Sequence, residues 1–507
     1  IDPDEFSNMN STIKRLLKAI DENEKIIIYG DYDVDGVTST SIFMSFLKKF
    51  NVEVDYHIPD RFKEGYGMSK NVIRDIADNF DLILSCDCGI SNYEEIKLAK
   101  KLGLDVIVTD HHDLPEKLPP ADFILTPKFL PTDNRAHDLP GAGMVYYLVK
   151  GTLNYLAKNN LSDKYLKTKV KSEEFIDLLA LAIVADVVPL KGENRYLLQK
   201  GLNHLKNTER NSLNKLFKLI GINKKLINEE DIAFRIGPII NAAGRMENAN
   251  IAVEMLLAED EKLLEKLVKK MLKINKRRKK LQEKIIIEAE NMLKKEFFAD
   301  DPNKAIILYQ PHWHEGLLGI AAGRLAEDYN LPVLLMSLKK DEKTITGSAR
   351  SISGIHINNM LKKVKDHLIK AGGHEAAAGF SLERDNYMLF KKKISAIINK
   401  KLNKISREKV LEVDARINLS EIDLESYDSL RKLAPFGEKN PKPLFISENC
   451  KLLQSRSFSD DKHLRLVIKQ SDSKKKAIWW WGGKENISSN LDLIYYLDIN
   501  RFQGKEN

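Results

Sequence analysis

The stretch KIIIYGDYDVDG, residues 25 to 36, runs from β-branched residues straight into three aspartates at alternate positions, Asp31, Asp33 and Asp35. Two more apolar runs end in the same way. DLILSCD closes on Asp87, and LDVIVTD closes on Asp110, with His111 and His112 next in the chain. Carboxylates this close repel, and no basic residue stands between them. Hard oxygen and imidazole ligands suit Mn²⁺ or Mg²⁺, and one bridging carboxylate can serve two ions. Asp186, inside the apolar stretch LLALAIVADVVPL, joins the candidates. An unpaired carboxylate there would be costly to bury, and a metal is its natural partner; a helix-capping role is the alternative.

Other readings of DYDVDG fare worse. Asp at loop positions one, three and five with Gly at six imitates a calcium loop, but the twelfth position is Ile42 where a bidentate Glu belongs. No Gly-Lys-Ser/Thr follows, so a phosphate-binding P-loop is excluded. An Asp-rich structural turn explains this motif alone, and explains less once Asp87 and TDHHD are added. Cys86 and Cys88 flank Asp87, and with three cysteines in the chain they fit neither a disulfide framework nor a two-pair zinc site.

These residues need elements to hold them. Between residues 25 and 127, strand-like runs alternate with helical patterns, as in KIIIYG, VEVDYHI, DLILSCD, LDVIVTD and FILTP. Strands separated by crossover helices predict a parallel α/β sheet covered on both faces. In such a sheet ligands bind beyond the carboxyl ends of the strands, so the acidic strand ends are expected to converge.

Helices are expected to continue to residue 258, which closes a first domain, 1–258. Residues 259–298 keep helical spacing without Gly or Pro and predict one long connecting helix with a dense basic face, a solvated spacer on its simplest reading. A second, smaller α/β domain is expected over 299–404, and an all-β module over 405–507.

The chain has 507 residues, 43% hydrophobic and 30% charged, enough for two to four domains. No apolar run of membrane-spanning length and no signal peptide are seen, so a cytoplasmic, membrane-free protein is expected. Net charge is +8, and the basic run KKMLKINKRRKKLQEK, residues 269 to 284, makes a polyanionic partner plausible.

DYDVDG, SCDCG, VTDHHD and AIVADVVPL resemble the four metal-binding motifs of the DHH phosphoesterase superfamily. LPGAGMVYYL, PIINAAGRMENA, WHEGLLGIAAGRL, GSARS and AGGHEAAAGFSL are similar to its RecJ branch, bacterial single-strand-specific 5′ to 3′ exonucleases. The resemblance covers nearly the whole chain, including an OB-fold at the end; it departs at NRFQGKEN, where one more closing strand is expected.

The resemblance implies that Asp33, Asp35, Asp87, His111 and Asp186 ligate two Mn²⁺ or Mg²⁺ ions, with Asp87 as the bridge and Asp31 beside them. Asp110 is implied to orient a histidine, and His112 and His374 to face the scissile phosphate. Arg245, Ser348 and Arg350 would clamp the DNA 5′ end, with Gly372 and Gly373 allowing close backbone approach and Arg61 as a further substrate contact. His312 and His314 remain a helix-start or supporting pair. The implied reaction is two-metal hydrolysis of single-stranded DNA to 5′ mononucleotides in repair and recombination, with a helicase and a single-strand-binding protein as partners.

Of Trp479, Trp480 and Trp481, the alternation of strand side chains predicts that at least one is core and leaves the others to stack bases. Two other functions stay open. A superfamily enzyme for short oligonucleotides or cyclic dinucleotides would share the metal motifs without needing the basic helix or the β module. A non-catalytic DNA-binding relative is expected to have lost some of the carboxylates, all of which are present here.

Overall fold

The computed structural model describes residues 1–50, 52–296, 304–405, 410–483, 485–499, 501–502 and 505–506. The chain divides into two compact units, Ile1–Asp186 with Lys200–Glu408 and Val187–Gln199 with Lys409–Asn507. Among the described residues no helix is long and apolar enough to cross a membrane.

The first lobe of the larger unit is built on five parallel strands: β1 (Ile26–Tyr29), β2 (Val54–His57), β3 (Leu82–Cys86), β4 (Asp105–Thr109) and β5 (Phe123–Leu125). Their order is β2-β1-β3-β4-β5. The chain leaves β1 in one direction and returns to β3 on its other side, so a topological switch lies between β1 and β3. β1 and β3 are buried along their whole length, which fits their unbroken apolar sequences IIIY and LILSC.

The helix Val34–Leu47 is almost wholly buried despite its serines and threonines. Thr38 and Ser41 donate to the carbonyls of Val34 and Val37 four residues back, so these hydroxyls enter the core already bonded. The helices Gly141–Lys158 and Ile176–Ala185 pack against it.

The helix Glu261–Glu296 leads out of this lobe. The expected boundary at 298–299 lies outside the described residues. The second lobe carries a mixed sheet ordered β6-β7-β8-β10-β9: β6 (Ile306–Tyr309), β7 (Val333–Leu338), β8 (Thr344–Arg350), β9 (Lys370–Gly373) and β10 (Ala377–Glu383).

The lobes meet closely. Glu288 of the long helix accepts from Trp313 Nε1 and bonds His312 Nε2, both at 2.8 Å. His314 starts the turn Glu315–Leu317 by accepting from the Gly316 amide, and its ring lies 5.5 Å from that of Phe62 in the first lobe. A Cβ on Gly316 would stand 2.1 Å from the Arg245 carbonyl, so only glycine permits this approach.

The smaller unit is a β module: β11 (Ala415–Arg416), β12 (Leu444–Phe458), β13 (His463–Gln470) and β14 (Ser473–Trp479) in order, with β15 (Asn490–Tyr496) paired to β12. Leu419, Cys450, Leu464, Leu466 and Ile468 form its core. The expectation of a core tryptophan is corrected here: Trp479, Trp480 and Trp481 are all exposed. Trp479 is the last residue of β14, opposite the buried Leu464, and the strand ends too soon to cover it; beyond it Trp481 has φ of 64°, so the alternation of faces does not extend to Trp480 and Trp481. Of the closing stretch, residues 500, 503, 504 and 507 lie outside the described residues.

Gly316→Ala should therefore destabilise the protein by about 1 to 3 kcal/mol, because the carbonyl of Arg245 cannot yield as a side chain would. Gly372→Ala, which meets nothing within 4 Å, should be neutral. Equal melting temperatures for the two variants would contradict the close contact of the lobes.

Candidate metal centre and phosphate clamp

At the carboxyl ends of β1, β3 and β4 the chain brings Asp31, Asp33, Asp35, Asp87, Asp110, His111 and His112 together, and Asp186, the residue closing the helix Ile176–Ala185, reaches them. Three groupings have ligand atoms within 4.8 Å of one another: Asp31 with Asp33 and Asp87, Asp35 with His111 and Asp186, and Asp87 with His111 and His112. Asp87 belongs to two of them, and so does His111.

Each side chain is held by its own local chemistry. Asp33 caps the helix Val34–Leu47, accepting from the amides of Asp35 and Gly36 at 2.9 and 3.2 Å. Asp35 accepts from the amides of Gly141 and Ala142 at 2.6 and 2.7 Å, at the positive end of the helix Gly141–Lys158. Gly141 must lack a side chain, because a Cβ there would come within 2.7 Å of the Asp87 Cβ. Asp87 sits at φ of 60°, a conformation a non-glycine residue adopts only under constraint.

His111 Nε2 stands 3.2 Å from Asp87, 3.5 Å from Asp186 and 3.7 Å from Asp35. Asp110 does not hold this ring. It accepts from the amides of both histidines and bonds His112 Nδ1 at 2.8 Å, while its other oxygen takes the Ile90 amide. The Tyr66 hydroxyl lies 3.3 Å from His112 Nδ1 and 3.2 Å from Nε2.

The charges show that this arrangement suits cations. Burial, then the charges of Asp35 and Asp33, push the Asp186 carboxyl up to about 9. Asp35 is pushed up to about 7 by burial and by Asp33, its two amide bonds offsetting only part of the cost. Asp31 and Asp87 are raised well above the ordinary range by burial and neighbouring carboxylates.

Oδ1 of each of these last two is buried without a hydrogen-bond partner. Asp87 Oδ1 faces His111 Nε2 at 3.2 Å and still makes no hydrogen bond with it. Carboxylate and imidazole ligand atoms converging on shared space fit a divalent cation with mixed oxygen and nitrogen ligands.

Beside this cluster lies a basic one. Tyr32, between two of the aspartates, packs against Gly244, whose Cβ would come within 2.4 Å of the Tyr32 carbonyl. The guanidinium of Arg61 lies over the Tyr32 ring at 4.9 Å. Next to Gly244, Arg245 is pushed down to about 10 by burial and by the charge of Arg61, with Arg278 and Arg350 adding to this and Asp33 opposing it.

Arg350 donates to Ser348 Oγ at 3.0 Å on β8. Gly319 leaves room for both, since a Cβ there would meet Arg350 at 2.8 Å and Ser348 at 3.0 Å. Among the described residues none of Arg61, Arg245, Arg278 and Arg350 makes an ion pair with a carboxylate. Guanidinium groups gathered in this way await an anion with several oxygens.

His374 is less tightly placed. It is exposed on the turn after β9, 3.9 Å from Asp113, which follows His112 in the first lobe. Gly373 has φ of 144° and no room for a Cβ against Ala377, whereas Gly372 lies in open space. Sequence reasoning missed Arg278, hidden in a run of like charges, and Tyr66, whose motif IPDRFKEGYG had drawn attention only to Arg61. It also missed the amides of Gly141 and Ala142, which carry no side-chain signal.

A parallel sheet with carboxylates and imidazoles at its switch point, beside an arginine cluster to which the first lobe gives Arg61 and Arg245, the long helix Arg278 and the second lobe Arg350, is the architecture of the DHH class of metal-dependent phosphoesterases. Sequence profiles agree: residues 25–183 match the DHH family N-terminal domain, 303–400 the DHHA1 domain and 413–507 the RecJ OB domain. The chain belongs to the RecJ family.

It is 32% identical to the single-stranded-DNA-specific exonuclease RecJ of Haemophilus influenzae, across 100% of this chain and 90% of that one. To the Bacillus subtilis RecJ it is 34% identical, again over 100% of this chain, but it spans only 63% of that protein's length. The crystal structure of Thermus thermophilus RecJ in complex with Mn²⁺ superimposes with a TM-score of 0.82 at 27% identity, covering 99% of this chain and 70% of the other.

The raised carboxyls have a consequence for the cation-free protein. Asp35 and Asp186 both lie above the usual 3.8, so their protonated forms favour the fold below that value, and this stability is lost as pH rises through about 7 and about 9. Melting temperature in EDTA should fall over that range, and Mn²⁺ should restore it. If Asp35→Asn with Asp186→Asn left the fall unchanged, these two groups would not be its source.

Proposed function

We propose that the protein is a single-stranded-DNA-specific exonuclease that cuts from the 5′ end with two divalent cations, Mn²⁺ or Mg²⁺, and releases 5′ mononucleotides. The observation that carries this reading is the pairing of two unsatisfied clusters side by side: carboxylates short of cations, and arginines short of an anion. The relatives' names support the nucleic acid, and solved RecJ structures with Mn²⁺ and with Mg²⁺ support the class of ion.

In this reading Asp31, Asp33, Asp35, Asp87, His111 and Asp186 hold the ions, with Asp87 shared. Bound there, the ions supply Lewis acidity, ionising water near neutral pH and stabilising charge on phosphate oxygens. Asp110 fixes His112 so that its remaining ring nitrogen donates toward a phosphate oxygen, with Tyr66 bracing the ring. Arg61, Arg245, Arg350 and Ser348 hold the terminal phosphate and set how much of the strand reaches the ions. His374 approaches the same phosphate from the second lobe, where the adjoining Gly372 leaves its backbone uncovered.

The β module, with Trp479, Trp480 and Trp481 exposed beside Arg465 and Phe458, supplies ring surfaces on which bases of the trailing strand stack. We assign 1–258 to the metal-bearing domain, 259–298 to the connecting helix, 299–404 to the clamp domain and 405–507 to the strand-binding domain. A strand must be single before it enters, so a helicase and a single-strand-binding protein are its natural partners, acting with it in cytoplasmic DNA repair and recombination.

End-labelled single strands test the reading. A 5′ label should leave at once as mononucleotide, a 3′-labelled strand should shorten progressively, and blunt duplex should resist. Excess EDTA should stop the reaction, and Asp87→Ala and Asp186→Ala should each abolish it while the melting curve stays cooperative. Digestion from the 3′ end would reject the clamp, full turnover in EDTA would reject the metal centre, and attack on dinucleotides alone would point to a small-substrate enzyme.

A further inference from the structure

The long helix Glu261–Glu296 has two opposed faces. Leu264, Leu267, Val268, Met271, Ile274 and Asn275 are buried against the first lobe, and half-buried Arg278 continues that side toward Arg245. Lys262, Lys266, Lys269, Lys273, Lys276 and Lys280 follow one another at steps of four and three residues, so they form a single row on the opposite side. All six are exposed. At 1.5 Å per residue the row runs about 27 Å.

Its charge is not neutralised at home. No acidic residue occurs between Glu265 and Glu283. Lys269 pairs with Glu265 at 2.7 Å, and among the described residues Lys262, Lys266, Lys273, Lys276 and Lys280 make no ion pair. Like charges at these spacings destabilise an isolated helix. Packing of the apolar face holds the helix together in spite of them.

We propose that this lysine row is a second nucleic-acid surface, one that grips the backbone of duplex DNA adjoining the single-stranded 5′ tail. The inference rests on the exonuclease reading and adds to it a contact surface outside the site, on the long helix, for the duplex beside the tail. Two features favour a duplex. The row faces away from Arg278 and the clamp, so a strand seated in the site does not cover it. It is also straight and rigid, and a stiff duplex can meet several lysines at once, whereas a flexible strand must first be straightened. An acidic protein surface is the competing occupant.

The test uses the full chain and a variant with Lys262, Lys266, Lys273, Lys276 and Lys280 all changed to Gln, which keeps helix propensity. Binding to a blunt duplex of about three helical turns is measured in EDTA across a salt series. For the unmodified protein log K should fall steeply with log salt, and the variant should lose about 0.9 of slope for each phosphate contact removed. Turnover of a short single strand, which is too short to reach the row and reports only the exonuclease reading, should match in both proteins. The variant's advantage for 5′-tailed duplex over short single strand should shrink by tenfold or more. Unchanged duplex affinity and slope would overturn the proposal and leave an acidic protein as occupant. A loss confined to long single strands would overturn it in favour of the trailing strand.

Discussion

Five carboxylates, Asp31, Asp33, Asp35, Asp87 and Asp186, meet with His111 at one edge of a buried sheet, and their mutual repulsion is the constraint around which the larger unit is built. Burial raises the carboxyls of Asp31, Asp35, Asp87 and Asp186, and neighbours of like charge raise them further. The fold answers locally where it can: Asp33 caps one helix, Asp35 takes two amides at the start of another, and Asp110 is satisfied by His112, His111 and Ile90. Oδ1 of Asp31 and of Asp87 is left without a hydrogen-bond partner. Those oxygens mark where a cation belongs.

The basic cluster poses the same problem with the sign reversed. Arg245 is largely buried beside Arg61, Arg278 and Arg350, yet none of them takes a carboxylate partner even though Asp33 is near enough to be felt. Had these guanidiniums paired with the aspartates, both clusters would be neutral and neither would bind anything. Tyr32 stands between them, packed on Gly244 and covered by Arg61, and so keeps acids and bases apart. The close approach of Gly316 to Arg245 ties the second lobe to the same point.

The long helix connects these parts physically. Glu288 near its end is bonded to His312 and Trp313 just before the turn that carries Gly316, while Arg278 two to three turns earlier faces the clamp. A rigid helix anchored at both places fixes the distance between the lobes, which a flexible linker of the same length would not do. Its lysine row contributes nothing to that packing and is therefore free to serve another contact.

Much of this was legible in the sequence because it depends on local pattern. Apolar runs ending in Asp31, Asp87 and Asp110 announced strands whose carboxyl ends gather acidic side chains, and the ordered motifs identified the superfamily and its RecJ branch. What the sequence alone could not decide depends on groups that meet from distant positions. The amides of Gly141 and Ala142 support Asp35 through backbone atoms, which every residue possesses and no motif distinguishes. Arg278 was indistinguishable from its basic neighbours until helix phase turned it toward Arg245 and turned Lys276 and Lys280 away. Asp110 was expected to orient a histidine, and only the fold chose His112, because the turn after β4 places both histidine amides on the same carboxylate oxygen. Tryptophan burial was misjudged for a similar reason: alternation holds only while a strand continues, and β14 stops at Trp479, where tertiary structure, not residue type, sets the end.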